Sequence, residues 1–310
     1  ARASAFAAIL EDGSAIAWGD LNRGGNSSPV QEQLSGVKQI QATSSAFAAI
    51  LEDGSVVAWG DGSRGGSCEE VQDQLRSVQQ IQATGSAFAA ILADGSVVTW
   101  GDRYKGGDSS PVQYQLRSVQ QIQATHLAFA AILADRSVVA WGQSQCGGDS
   151  SRVQDQLRSV KQIQATSSAF AAILADGSVV TWGDRAHGGH SSSVQNQLRS
   201  VQQIQATESA FAAILADGSV VTWGHRAHGG DSSSVQDQLR SVQQIQATAC
   251  AFAAILADGS VVTWGHQWNG GDSSSVQDQL KSVQQIQATE SAFAAVLPDG
   301  SVVVWGNEDG

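Results

Sequence analysis

A repeat of 41 residues constrains the fold of this chain more than any other feature. The dipeptide Trp-Gly recurs at this spacing with no insertion or deletion, at Trp18, Trp59, Trp100, Trp141, Trp182, Trp223, Trp264 and Trp305. A fixed period of this length means that each repeat is one structural unit, and that such a unit buries its apolar surface only against its neighbours. The 310 residues are therefore expected to fold by packing successive copies of one unit against each other.

Each unit contains three segments that are typical of β-strands. Residues 201–207 read VQQIQAT and alternate like a half-exposed strand, whereas 210–215 (AFAAIL) and 219–223 (SVVTW) are apolar on both faces. Asp217-Gly218, between the last two segments, predicts a β-hairpin with a type I′ turn. Strands that are apolar on both faces must be covered on both sides, so we expect neighbouring units to cover them.

The polar segment that ends each unit has two interpretations. Val235, Asp237 and Leu239 alternate like an outer strand, whereas Val235, Leu239 and Val242 follow helical spacing. We expect a short outer strand. A unit of about 40 residues with four short strands is typical of a β-propeller blade. The prediction is therefore an all-β protein, a single β-propeller domain over residues 1–310, whose ring of blades removes open sheet edges.

The repeat resembles that of the regulator of chromosome condensation family, in which a V-x-x-I strand, a DG-x-V-x-x-WG strand and a Gly-rich link recur around a propeller. Residues 217–224 (DGSVVTWG) carry most of this resemblance, which spans the whole chain. The repeat is also similar to that of a propeller-type protein inhibitor of β-lactamases. Two departures are that Ala206–Phe211 replaces the family's Gly-Gly-x-His, and that the link is reduced to Gly-Gly followed by Asp-Ser-Ser. The resemblance implies a propeller that docks a protein partner.

The number of blades follows from counting the segments. Eight AFAA hairpins are present, but only seven IQAT strands and seven Gly-Gly links. Seven blades are usual in the family that the repeat resembles. A ring of seven would leave one apolar hairpin exposed, either 5–18 or 292–305, which is unfavourable. We therefore expect eight blades, with seven as the alternative.

Charge and hydropathy exclude some partners. The net charge is −12, with 29 acidic and 17 basic residues and no basic cluster, so we expect no nucleic-acid partner. The apolar runs are far shorter than the roughly 20 residues of a membrane-spanning helix, and no leader opens the chain, so we expect no membrane insertion. Met is absent even from position 1, so the chain is expected to be a processed product or a stretch of a longer polypeptide.

Candidate chemistry is sparse. The Asp that recurs in each hairpin is explained by turn geometry. Cys68, Cys146 and Cys250 occupy three different places in the repeat and are expected to be free thiols. Link histidines spaced like His187 and His190 could ligate a transition metal. No Cys or carboxylate set completes such a site. We predict no catalytic residue, no metal, no cofactor and no small-molecule substrate, and hence no enzyme.

Variation between units concentrates in the four residues after each Trp-Gly, and a second variable position precedes each AFAA strand. Equivalent loops of a propeller lie on one face, so the first set is expected to form a rim rich in Arg and aromatic residues, which are enriched in binding hot spots. A fixed scaffold with a diversified rim predicts a recognition surface, with neutral drift in exposed loops as the alternative. The candidate binding residues are Arg23, Arg64, Arg103, Tyr104, Lys105, Arg185, His187, Arg226, His228 and Trp268.

These observations favour a non-catalytic protein-binding scaffold with a protein partner. The resemblance implies two alternatives, a guanine-nucleotide exchange regulator of a small GTPase, or the propeller part of a larger HECT-type ubiquitin ligase. An enzyme that uses the central channel is disfavoured, because the inner strand offers mainly residues such as Gln203, Gln205 and Thr207, which cannot act unaided as acid, base or nucleophile.

Overall fold

The computed structural model describes residues 5–307, which form β-strands and short 3₁₀ helices joined by turns. Its contacts divide the chain into two compact units, Ala1–Gln154 and Asp155–Gly310. Neither the expected single domain over residues 1–310 nor the expected closure of a ring is tested by this division, and both stay predictions. In the described part of the chain, no helix is long and apolar enough to cross a membrane.

The first unit contains four antiparallel sheets, which we call blades 1 to 4. Blade 1 is the hairpin of β1 (Ala5–Ile9) and β2 (Ala15–Gly19), and the other blades have three strands each. Their strands are β3 (Val37–Ala42), β4 (Ala46–Leu51), β5 (Val56–Gly60), β6 (Val78–Ala83), β7 (Ala87–Leu92), β8 (Val97–Gly101), β9 (Val119–Ala124), β10 (Ala128–Leu133) and β11 (Val138–Gly142).

The second unit contains blades 5 to 8, each of three antiparallel strands with the AFAA strand in the middle. The strands are β12 (Val160–Ala165), β13 (Ala169–Leu174), β14 (Val179–Gly183), β15 (Val201–Ala206), β16 (Ala210–Leu215), β17 (Val220–Gly224), β18 (Val242–Ala247), β19 (Ala251–Leu256), β20 (Val261–Gly265), β21 (Gln285–Ala288), β22 (Ala292–Val296) and β23 (Val302–Gly306). Within residues 5–307 there are thus eight sheets of the propeller-blade type, so the all-β class and the count of eight blades are confirmed.

Within each unit, packing between successive blades buries the faces of the hairpin strands that meet. One face of each blade presents Ala, Ile and Val, and we call it the aliphatic face. The opposite face presents the Phe and Trp of the hairpin, and we call it the aromatic face. In blades 6 and 7 the aliphatic face of the first meets the aromatic face of the second, through Ala210, Ala212, Ile214, Val220, Phe252, Ala254, Val262 and Trp264.

Aromatic pairs order each aromatic face. Phe211 lies directly opposite Trp223 on the neighbouring strand, and their rings stack with centroids 5.2 Å apart. The indole Nε1–H of Trp223 donates to the carbonyl oxygen of Gly188, in the link of the preceding blade, at 3.0 Å. The aromatic faces of blades 2, 3, 4, 6, 7 and 8 therefore fix the position of the link before them as well as filling the core.

The hairpin turn differs from the predicted type. A type I′ turn needs positive φ at both central residues. Gly218 has φ 77°, but Asp217 is not among the described residues whose φ is positive. Gly218 N–H donates to Leu215 O at 2.9 Å, which makes a type I turn followed by a left-handed glycine. The type I′ prediction is wrong because the Asp217 carboxylate accepts from the N–H and hydroxyl of Ser219, at 2.9 and 2.6 Å, and holds the longer turn.

The outer strand is also a wrong prediction. The segment forms 3₁₀ turns, as at Ser28–Gln33 and Glu69–Gln74, and not a fourth strand. In blade 6 the side chain of Gln236 donates to Val220 O at 3.0 Å and accepts from the hydroxyl of Ser232 at 2.8 Å. The side chain of Gln236 thus gives a backbone carbonyl at the edge of the third strand its hydrogen bond, so the segment need not pair there as a strand. The turn of the segment buries Leu239 instead.

We expect Trp223→Ala to lower the free energy of unfolding by about 3–5 kcal/mol, because it opens a cavity beside Phe211 and leaves the Gly188 carbonyl without its donor. Urea denaturation checks this. The matched control is Trp268→Ala, which removes an exposed indole and should change stability by no more than about 0.5 kcal/mol. Equal losses in the two variants would contradict the packing role.

Arg136 is the only residue other than Gly at the left-handed position of the eight hairpin turns, and it has φ 66°. We expect Arg136→Gly to raise the free energy of unfolding by about 1 kcal/mol, because Gly adopts this conformation without a Cβ penalty. The reciprocal control is Gly218→Arg, which should destabilise, since a Cβ there would lie 2.8 Å from the Cα of Ser241. An unchanged or lowered stability in Arg136→Gly would rule out strain at this turn.

Candidate functional site

The variable residues after each Trp-Gly form a short 3₁₀ helix in every link. All ten candidate binding residues lie in these helices, which are Leu21–Arg23, Gly62–Arg64, Arg103–Lys105, Ser144–Cys146, Arg185–His187, Arg226–His228 and Gln267–Asn269. We call the links of the first unit (20–25, 61–66, 102–107 and 143–148) rim 1. The links of the second unit (184–189, 225–230 and 266–271) are rim 2.

Contacts on two sides hold the links at 61–66, 102–107, 184–189, 225–230 and 266–271. In the link that follows blade 6, the hydroxyl of Thr207 donates to His228 O at 3.1 Å. From blade 7, the indole of Trp264 donates to Gly229 O at 3.0 Å. The backbone of the link is therefore clamped by its own blade and by the next one, while the side chains on its helix remain free to vary.

The two glycines of a link serve backbone geometry. Gly229 has φ 94°, and a Cβ on it would lie 2.5 Å from the ring of Phe252 in the next blade. A Cβ on Gly230 would lie 2.6 Å from the carbonyl carbon of Gly224. Left-handed backbone and close approach together explain why Gly-Gly recurs in every link, without any role in binding phosphate.

Five of the six Arg and Lys residues of the rims are paired with carboxylates of their own link or of the residues just after it, and among the described residues Arg185 has no such pair. Lys105 Nζ lies 2.9 Å from Asp102, and Arg226 Nε lies 2.8 Å from Asp231. Longer pairs join Arg23 to Asp20, Arg64 to Asp61 and Arg103 to Asp108. The sequence analysis did not include these Asp residues in the site, although opposite charges three to five residues apart within one link signal such pairs. The pairing reduces the positive charge that the rims present.

Two aromatic side chains on the rims are exposed to solvent. Tyr104 on rim 1 is 75% exposed, and Trp268 on rim 2 is 69% exposed. The guanidinium carbon of Arg103 lies 5.3 Å from the centroid of the Tyr104 ring, a cation–π distance that orders the ring. Tyr114 is similarly exposed, at 70%, but it lies in the outer segment of blade 3 and not in a link. The sequence analysis did not single it out.

Two histidines of one link lie close together on rim 2. The rings of His225 and His228 have centroids 4.4 Å apart, and His187 Nδ1 lies 2.6 Å from the carboxylate of Asp184. His228 Nδ1 is buried and has no hydrogen-bond partner among the described residues. Burial, and after it the neighbouring His225, lower the pKa of His228. In residues 5–307 no three His, Cys, Asp or Glu residues are grouped so that they could hold a metal ion.

The second variable position contributes to the contacts between blades mainly through its backbone, and the hydroxyl of Ser167 adds a side-chain bond by donating to Glu208 O at 2.7 Å. Glu208 N–H donates to Ala249 O, and Ala249 N–H donates to Glu290 O, each at 2.9 Å. The same bond joins Ser44 N–H to Gly85 O in the first unit, at 3.1 Å. Because backbone groups make most of this ladder, the side chains can vary with little effect on it, and the variation there needs no binding role.

Comparison with solved structures gave matches at low identity. The chain is similar to yeast RCC1 (Prp20) in its complex with Kap60, with 16% identity and a TM-score of 0.47 over 76% of this chain and 70% of that one. It is similar to the CRINKLY WD40 ectodomain of the Arabidopsis thaliana receptor kinase ACR4, with 16% identity and a TM-score of 0.45 over 85% and 93% of the two chains.

The computationally designed protein Ika8 is a further similar structure, with 16% identity and a TM-score of 0.41 over 98% of this chain and 93% of that one. Comparisons with sequence models of protein families and with curated proteins gave no match. Yeast RCC1 is thus among the folds that the chain resembles, while the resemblance to the β-lactamase inhibitor stays a prediction.

We expect the stability of the second unit to fall as the pH drops below about 6.5, the ordinary pKa of His. The pKa of His228 is lowered in the folded state, so the unfolded chain takes up the proton first and acidification favours unfolding. The matched variant is His228→Asn, because Asn269 occupies the same position in the next link. Urea denaturation at neutral pH and at mildly acidic pH should show a smaller loss in His228→Asn than in the parent. Equal losses would exclude His228 as the cause.

Proposed function

We propose that this chain is a non-catalytic scaffold that recognises a protein partner through the exposed side chains of rims 1 and 2. The proposal rests on the combination of a clamped link backbone with side chains that differ between most links, the Arg-Ala-His helices at 185–187 and 226–228 being alike. The clamp on the link of blade 6, made by Thr207 and Trp264, has counterparts in other blades. A surface that is rigid before binding loses less conformational entropy when a partner docks.

The aromatic residues of the rims support the proposal more strongly than the cations. Tyr104 and Trp268 are large side chains with few rotatable bonds, and burial of such residues dominates many interfaces. Five of the six rim cations already have carboxylate partners, so a protein partner gains less from pairing with them. Among the cations, Arg103 contributes by ordering the ring of Tyr104.

The test has two stages. The immobilised chain first captures its partner from an extract of the native source, and mass spectrometry identifies it. Calorimetric titration then measures the affinity of the purified partner for the parent and for Tyr104→Ala and Trp268→Ala. We expect each substitution to weaken binding by about 2 kcal/mol or more, roughly 30-fold, without a change in melting temperature.

Tyr114→Ala is the matched control, since it removes an equally exposed tyrosine that lies outside the rims. It should leave the affinity unchanged. A loss of binding in Tyr114→Ala, with Tyr104→Ala and Trp268→Ala unaffected, would move the interface to the outer segments. Loss of binding only after substitution of Gln203 or Gln205 would place it on the inner strands and refute the rim proposal.

A further inference from the structure

The aromatic face of blade 1 is exposed. Phe6 and Trp18 are 47% and 48% exposed, whereas the equivalent Phe252 and Trp264 of blade 7 are buried. Ile16 lies two residues before Trp18 on the same face and is 41% exposed. The Phe6 and Trp18 rings stack with centroids 5.6 Å apart, so the face keeps the arrangement found in the other blades although nothing covers it in the described structure.

The aliphatic face of blade 8 is exposed as well. Val302 and Val304 are 57% and 54% exposed, whereas Val261 and Thr263, at the same positions of blade 7, are buried. Two contiguous apolar faces of this kind exceed the scattered apolar residues that are normal on a surface, and they mark interaction sites.

The chain itself shows what covers each face. At six contacts between successive described blades, an aliphatic face packs on an aromatic face of the same composition. In the contact of blades 7 and 8, Val261 of the aliphatic face is in the same cluster as Phe293 and Trp305 of the aromatic face. The face that Val302 and Val304 present is therefore complementary to the face that Phe6, Ile16 and Trp18 present.

We propose that two copies of this chain associate head to tail, with the aliphatic face of blade 8 in one copy packing on the aromatic face of blade 1 in the other. The occupant is a second copy because it carries the complementary face in the conformation that the internal contacts use. The contact is heterologous, so each copy keeps one free face, and assemblies can grow or close into a ring of copies.

Sedimentation velocity over a wide range of concentration tests the proposal. The parent should form dimers and larger species as concentration rises. The first double variant, Val302→Glu with Val304→Glu, disrupts the aliphatic face of blade 8. The second double variant, Phe6→Ser with Trp18→Ser, disrupts the aromatic face of blade 1. Each double variant should be monomeric at concentrations where the parent associates. Because the first retains a good aromatic face and the second a good aliphatic face, an equimolar mixture should form a one-to-one dimer that grows no further.

Two controls separate association from folding. Val304→Thr places at this position the residue that blade 7 has at Thr263, so it should retain association. Tyr114→Ser removes an exposed aromatic residue away from both faces and should also retain it. Circular dichroism melting shows whether each variant is folded. A parent that stays monomeric throughout, association that survives both double variants, or a mixture of folded variants that stays monomeric would each overturn the proposal.

Discussion

The contact between the aromatic face of one blade and the aliphatic face of the blade before it determines most of this structure. The Phe and Trp of each hairpin stack across two strands and fill the space between blades, as Phe211 and Trp223 do. The same Trp donates its indole hydrogen to a carbonyl of the preceding link, as Trp223 does to Gly188. The Trp thus contacts both the core and the link. Its ring is apolar and packs in the core, and its indole N–H needs a hydrogen-bond acceptor when it is buried.

The candidate binding surface is a consequence of that contact. The link can vary in sequence because its conformation does not depend on the residues of its helix. It depends on two glycines that fit against the next blade, as Gly229 does against Phe252, and on bonds to backbone carbonyls, as from Thr207 to His228. Substitution in the helix therefore changes the chemistry of the surface and leaves its shape. A scaffold with these properties can diversify its binding residues without loss of stability.

Sequence patterns failed where side chains compete with backbone pairing. Asp217 and Gly218 correctly predicted a hairpin, but the carboxylate of Asp217 bonds to Ser219 and selects a longer turn than the type I′ turn. The alternation of Val235, Asp237 and Leu239 predicted an outer strand, yet Gln236 reaches the edge of the neighbouring strand and takes the place of a strand. Both errors arise because a short polar segment can satisfy backbone groups with side chains, and periodicity does not register this.

The sequence by itself determined the three inner strands of a unit, the hairpins and the eight blades, because a strict 41-residue period and two-sided apolar strands leave few other ways to bury the chain. It also located the variable links. Only the tertiary structure decided that the link cations pair with nearby carboxylates, that His225 and His228 are in contact, and that the faces bearing Trp18 and Val302 are exposed. The contacts within a link depend on the conformation of that link, and the exposure of the two faces depends on which blade packs against them. The order of residues along the chain specifies neither.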